Sequence, residues 1–141
     1  MNGQLTTIDS VKGFALAGNA RLTVRSTRTG TRFTYRLRQS KDKAVTFVSV
    51  LTGTDNESDY EFFGTLKPDG RFVGSSRSRV TLEAPSAKAF VWLWTALAAD
   101  HLPGTVEVWH EGRCGRCGRA LTVPESLATG LGPECVTKMA S

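Results

Sequence analysis

The chain has 141 residues, 40% of them hydrophobic and 22% charged, enough for one globular domain with a real core and a short appendage. It contains no run of about 18 apolar residues that could cross a membrane as a helix, and its start lacks the basic-then-apolar layout of a secretory signal. A cytoplasmic protein with no membrane partner is therefore expected. The formal net charge of +5 favours encounter with polyanions, nucleic acid first among them.

Residues 1–20 mix polar turn formers with a short apolar patch at Phe14-Ala-Leu-Ala17, and predict only a frayed start leading into a strand or a short helical turn. From Arg21 the pattern sharpens. Arg21-Leu-Thr-Val-Arg25 alternates, a turn with Gly30 follows, and Arg32-Phe-Thr-Tyr-Arg-Leu-Arg38 alternates again, which is the signature of a β-hairpin. Successive strand side chains point to opposite faces, so Leu22, Val24, Phe33, Tyr35 and Leu37 share one face. Arg21, Arg25, Arg32, Arg36 and Arg38 share the other.

Residues 44–51 (AVTFVSVL) predict a central strand buried on both faces or nearly so. The acidic segment from Asp55 to Asp59 reads as a hairpin turn, with ligand contact left open, since it lacks the glycine and terminal glutamate of a calcium loop. Residues 60–66 predict a further strand, Lys67-Pro-Asp-Gly70 a tight turn, residues 71–74 a short returning strand, and residues 79–82 one more short strand. Pro85-Ser86 opens a helix with Ser86 as N-cap, carrying Ala87, Phe90, Val91, Trp94, Leu97 and Ala98 as its apolar stripe and leaving Trp92 and Leu93 outside it. Residues 105–109 alternate once more and lead to His110. The predicted fold is α+β: an antiparallel sheet of about five or six strands with one helix packed on one face (residues 1–105), followed by a small treble-clef or zinc-ribbon-like module (residues 106–141).

All three cysteines lie in that last segment, two of them spaced as Cys114-Gly-Arg-Cys117. This is metal spacing, because such a turn curls two thiolates around one ion. Cys135 follows Gly132-Pro133-Glu134 at a helix-start pattern, where the thiolate is favoured. Of the two histidines, His110 lies four residues before Cys114 at a strand end, whereas His101 sits in a Leu-Pro-Gly exit. The expected zinc ligands are His110, Cys114, Cys117 and Cys135, a closed Cys3His set. Buried or exposed thiols without metal are the plain alternative. A closed set leaves no open position for catalysis, and the nucleobase-deaminase pattern fails because Arg113, not proline, precedes Cys114. The protein is expected not to be an enzyme.

The stretch GRCGRCGRALTVPESLATGLGPEC resembles the Cys-rich ends of small, mostly uncharacterised proteins of bacteriophages and their hosts, and RFTYRLR, FVSVLTGTDNESDY and the APSAKAF helix start look like the same family's N-terminal part. The resemblance covers most of residues 14–138. It implies a zinc-binding module on Cys114, Cys117 and Cys135 with His110 in the matching place, and a viral or mobile-element origin. It implies no reaction and no partner.

For binding, the five hairpin arginines form a basic patch that Arg113, Arg116 and Arg119 extend, suited to nucleic acid or a nucleoprotein complex. The alternatives are a modulator or inhibitor of a host defence or replication protein, docking on an acidic surface, and a solvated face whose arginine stems cover the pleat. Phe33 and Tyr35 face the core side, so the stacking platform expected of a single-strand reader is not evident.

Overall fold

The computed structural model of the chain describes residues 3–54, 58–69, 71–75, 78–111, 113–116 and 129–131. Its elements run β1 (Gly3–Leu5), α1 (Ile8–Ala15), β2 (Asn19–Ser26), β3 (Arg32–Gln39), β4 (Thr46–Leu51), β5 (Tyr60–Leu66), β6 (Phe72–Gly74), α2 (Pro85–Ala98) and β7 (Val106–His110). The strands form one antiparallel sheet in the order β1-β7-β2-β3-β4-β5-β6.

This corrects the predicted fold class. Among the described residues the sheet has seven strands rather than five or six, and two helices, α1 and α2, pack on it rather than one. The additional elements are short: β1 has three residues, too few for alternation to show, and α1 has eight. The sequence signal for α1 was its cap. Thr7 Oγ1 accepts from the Ser10 amide at 3.1 Å while Ser10 Oγ accepts from the Thr7 amide at 3.2 Å, a reciprocal pair that satisfies two amides left without helical partners. Val11, Phe14 and Ala15 then turn inward.

The expected treble-clef or zinc-ribbon layout is also overturned for the part of the C-terminal segment that is described. Residues 106–110 are a strand seated between β1 and β2, and residues 113–116 and 129–131 lie against the end of α1 and the start of β2. Among the described residues, no group of three or more His, Cys, Asp or Glu side chains is placed to hold a metal ion.

Burial on one face holds the sheet together. Ala20, Leu22 and Val24 of β2, Tyr35 and Leu37 of β3, Val48 and Val50 of β4, and Val108 of β7 are all buried, and α2 covers them with Ala87, Phe90, Leu93, Trp94 and Leu97. Phe90 is the hub: its ring lies 5.2 Å from Tyr35, 5.4 Å from Phe72, 5.9 Å from Phe63 and 5.8 Å from Trp94. The buried stripe of α2 thus includes Leu93, while Val91 and Ala98 fall outside it and Trp92 is exposed. The helix also starts differently from the prediction. Ala84 is the N-cap, held extended by the proline that follows it, and no side chain caps the helix. The carbonyl of Ser86 instead accepts a 2.6 Å hydrogen bond from the Tyr35 hydroxyl. Residues 79–82 form bends and a turn, not a strand.

A β-bulge reshapes the β4–β5 pair. The register shifts between Val48 and Ser49, so that Val48 faces Gly64 while Ser49 faces Phe62, and Phe63 is the extra residue. Phe63 is fully buried in the core, whereas Phe62 is turned to the opposite face and exposed. Gly64 has no Cβ where the Phe72 ring lies; a side chain there would come within 2.1 Å of Phe72 Cζ.

Candidate nucleic-acid interface and metal ligands

Both helices pack on the same side of the sheet. α2 meets Tyr35 and Phe63, and Phe14 of α1 meets His110, whose strand parity matches that of Val108. The other side carries the arginines. The β2–β3 register sets Arg21 opposite Arg36, Arg25 opposite Arg32 and Asn19 opposite Arg38, with Thr23 and Thr34 between them joined by a 2.9 Å hydroxyl–hydroxyl hydrogen bond. The five hairpin arginines predicted to share a face do share it. Arg25 also pairs with Glu107 of β7 at 2.7 Å, and the Arg36 guanidinium lies over the Tyr60 ring at 4.7 Å from its centroid.

Sequence reasoning missed the aromatic half of this face. Phe47 sits opposite Arg38, Ser49 opposite Arg36 and Phe62 opposite Ser49, so Phe47 and Phe62 lie on the arginine side. Their rings meet edge to face at 6.0 Å, with Phe47 41% and Phe62 37% exposed. A shallow depression of about 360 Å³ is lined by Arg36, Arg38, Phe47, Ser49 and Phe62. The apolar run of β4 predicted burial on both faces, and only register tells which phenylalanines turn outward.

Of the metal candidates, His110 and Cys114 are among the described residues. His110 is buried at the end of β7, with Gly3 and Leu22 as its cross-strand partners. The histidine ring occupies the space above Gly3, where an added Cβ would lie 2.2 Å from Nε2. Cys114 is buried with Ala17 and Leu131. Its sulfur accepts from the Arg116 amide at 3.4 Å, the kind of hydrogen bond that stabilises a thiolate. The Gly115 amide donates to the Gly130 carbonyl at 2.8 Å, so the chain returns beside Cys114 a few residues before Cys135. Gly130 has φ +73°, and a Cβ on it or on Gly115 would strike the Phe14 ring, which also packs at 5.6 Å from His110. Phe14 is thus the wedge between His110 and the backbone at Gly115 and Gly130. Cys117, Cys135 and Arg119 lie outside the described residues, as do Asp55, Asn56 and Glu57 of the acidic segment.

Residues 113–116 also adjoin the basic face. The Gly115 carbonyl accepts from the Asn19 amide at 2.8 Å, and Asn19 is the register partner of Arg38. Arg113 is exposed and Arg116 half-buried at that end.

Residues 107–140 are similar to a family of unknown function (DUF6011). The match starts inside β7 and spans His110 and all three cysteines; the arginine hairpin and both helices lie outside it. No curated protein and no solved structure matches the chain. No helix among the described residues is long and apolar enough to cross a membrane.

Proposed function

We propose that this is a phage-type, non-enzymatic protein that binds nucleic acid or a nucleoprotein complex through the arginine face of its sheet. The observation that carries the reading is the β2–β3 register, which sets two arginine pairs directly across from each other on the side away from both helices. Like charges directly opposite on paired strands destabilise a sheet by a few tenths of a kcal/mol or more. A phosphate backbone would turn that repulsion into attraction, with counterion release as the driving force. Glu107 and Tyr60 temper Arg25 and Arg36, and of the five strand arginines Arg32 and Arg38 are the exposed ones.

Zinc on His110, Cys114, Cys117 and Cys135 belongs to the same proposal. The support is the buried imidazole, the buried sulfur with its amide donor, and the return of Gly130 to Gly115. Zinc there would supply a crosslink and no reaction. His110 is seated by Gly3 and Phe14, and Cys114 by Ala17 and Leu131, so this chain's own packing orients both donors.

The test is a titration of labelled DNA and RNA at low and moderate salt. Affinity should fall steeply with salt and drop at least tenfold when Arg32, Arg36 and Arg38 are changed together to Glu. Absence of binding at low salt would count against the reading. Metal analysis should find one zinc per chain, and chelation should expose residues 111–141 to protease while the sheet stays folded; a metal-free protein with an unchanged digest would remove the zinc part. A second reading, docking on an acidic host defence or replication protein, draws on the exposed apolar Phe47, Phe62 and Val73 beside the arginines. Pull-down from nuclease-treated host lysate separates the two.

A further inference from the structure

We propose that Phe47 and Phe62, framed by Arg36 and Arg38, form a stacking subsite for unpaired nucleobases, so that the nucleic acid taken by this face is single-stranded. The inference rests on the basic-face reading and adds to it the class of ligand.

Several observations converge on this patch. Two large aromatic rings stand exposed on neighbouring interior strands, although the same strands bury Val48, Val50 and Phe63 on the other side. The bulge at Val48/Ser49 produces this arrangement: it sends Phe63 and Gly64 together to the core face and leaves Phe62 beside Phe47. The floor between them is Ser49, a small side chain that keeps the depression open. The walls are guanidinium groups, one already held over an aromatic ring, Tyr60.

That combination discriminates between ligands. A purely apolar partner would offer no counter-charge to the flanking guanidinium groups, and a duplex hides its base faces inside the stack. An unpaired strand offers both a phosphate for the arginines and a free π-face for the rings. In that layout the phosphates would run along the arginines of β2 and β3, with the bases over Phe47 of β4 and Phe62 of β5.

The experiment is a fluorescence-anisotropy titration of the full-length chain with a labelled oligothymidylate and with a duplex of equal length. The wild type should prefer the single strand at least tenfold. Phe47→Ala and Phe62→Ala should each weaken single-strand binding about tenfold and leave duplex binding within about twofold. Phe47→Leu and Phe62→Leu keep the apolar volume and guard against a folding artefact; they should lose affinity nearly as strongly because the π-face is gone. A strand carrying 2-aminopurine should be quenched on binding the wild type and much less so with the leucine variants.

Equal affinity for duplex and single strand, or leucine variants that bind like the wild type, would overturn the stacking subsite. If Arg32→Glu with Arg38→Glu still abolishes binding in that case, the basic-face reading survives alone. If those two reversals leave single-strand binding unchanged, or nothing binds at low salt, the basic-face reading falls and takes the subsite with it.

Discussion

The two faces of this sheet come from the same strands and could hardly differ more. On the covered face, Tyr35, Phe63 and Phe72 close around Phe90, and every ring removes apolar surface from water. On the other, Arg21 faces Arg36 and Arg25 faces Arg32, with Glu107 on Arg25 and the Tyr60 ring under Arg36 offsetting part of the like-charge repulsion. The apolar burial is therefore concentrated on one side, and the opposite side carries the charge. Substitutions should divide the same way: on the covered face they should move stability, on the arginine face affinity.

The largest effect is expected at the hub. Phe90→Ala removes a buried ring with four aromatic neighbours and should cost about 3–5 kcal/mol in a urea titration, enough to leave a marginal fold partly unfolded. Gly130→Ala comes next. It places a Cβ at a positive φ and against the Phe14 ring, with an expected loss of about 1–3 kcal/mol and, through Phe14 and Gly115, a faster protease cut near residue 113. If Gly130→Ala were silent, the contact between the C-terminal segment and α1 would not contribute to folding.

How much of this was legible beforehand depended on alternation. The hairpin arginines could be assigned a face because polar and apolar residues take strict turns from Arg21 to Arg25 and from Arg32 to Arg38. In β4 the pattern breaks down: Phe47, Val48 and Val50 are all apolar, and nothing local says that Phe47 faces out. The bulge compounds this, since an extra residue changes which phenylalanine of β5 turns inward. In α2 the run Phe90-Val-Trp-Leu-Trp94 is apolar on every side, so the phase of the stripe, and with it the burial of Leu93 and exposure of Trp92, is set by the sheet beneath. The placement of β7 between β1 and β2 is a long-range pairing that no local pattern encodes. His110 and Cys114 stood out by spacing; the side chains that seat them, Phe14 for His110 and Ala17 with Leu131 for Cys114, did not.

A smaller effect sharpens the covered face through pH. Burial holds the Tyr35 hydroxyl neutral and pushes its pKa well above the ordinary value of 10.0. The unfolded chain ionises this group near 10 while the folded protein does not, so the contribution is fully present below pH 10 and is lost progressively as pH rises above it. Tyr35→Phe removes the hydrogen bond to the Ser86 carbonyl and should cost about 1 kcal/mol at neutral pH. Its stability should then fall less steeply than the wild type's above pH 10, so the two unfolding curves should converge in alkali. Parallel curves would mean that Tyr35 can ionise in place.

The smallest change in folding is expected from Arg32→Gln, and it tests the division between the faces most directly. Arg32 is exposed and sits opposite Arg25, so neutralising it relieves repulsion and deletes no packing. Stability should stay within about 0.5 kcal/mol of the wild type, on the stabilising side if the pair repels. Affinity should move the other way. One phosphate contact fewer lowers the slope of log affinity against log salt by about 0.7 for a single strand, with weaker binding at every salt concentration. A variant that gains stability while losing nucleic acid would show that the arginine face is maintained against the interest of the fold; a variant that loses stability instead would make the arginines part of the scaffold and leave the face without a ligand to explain it.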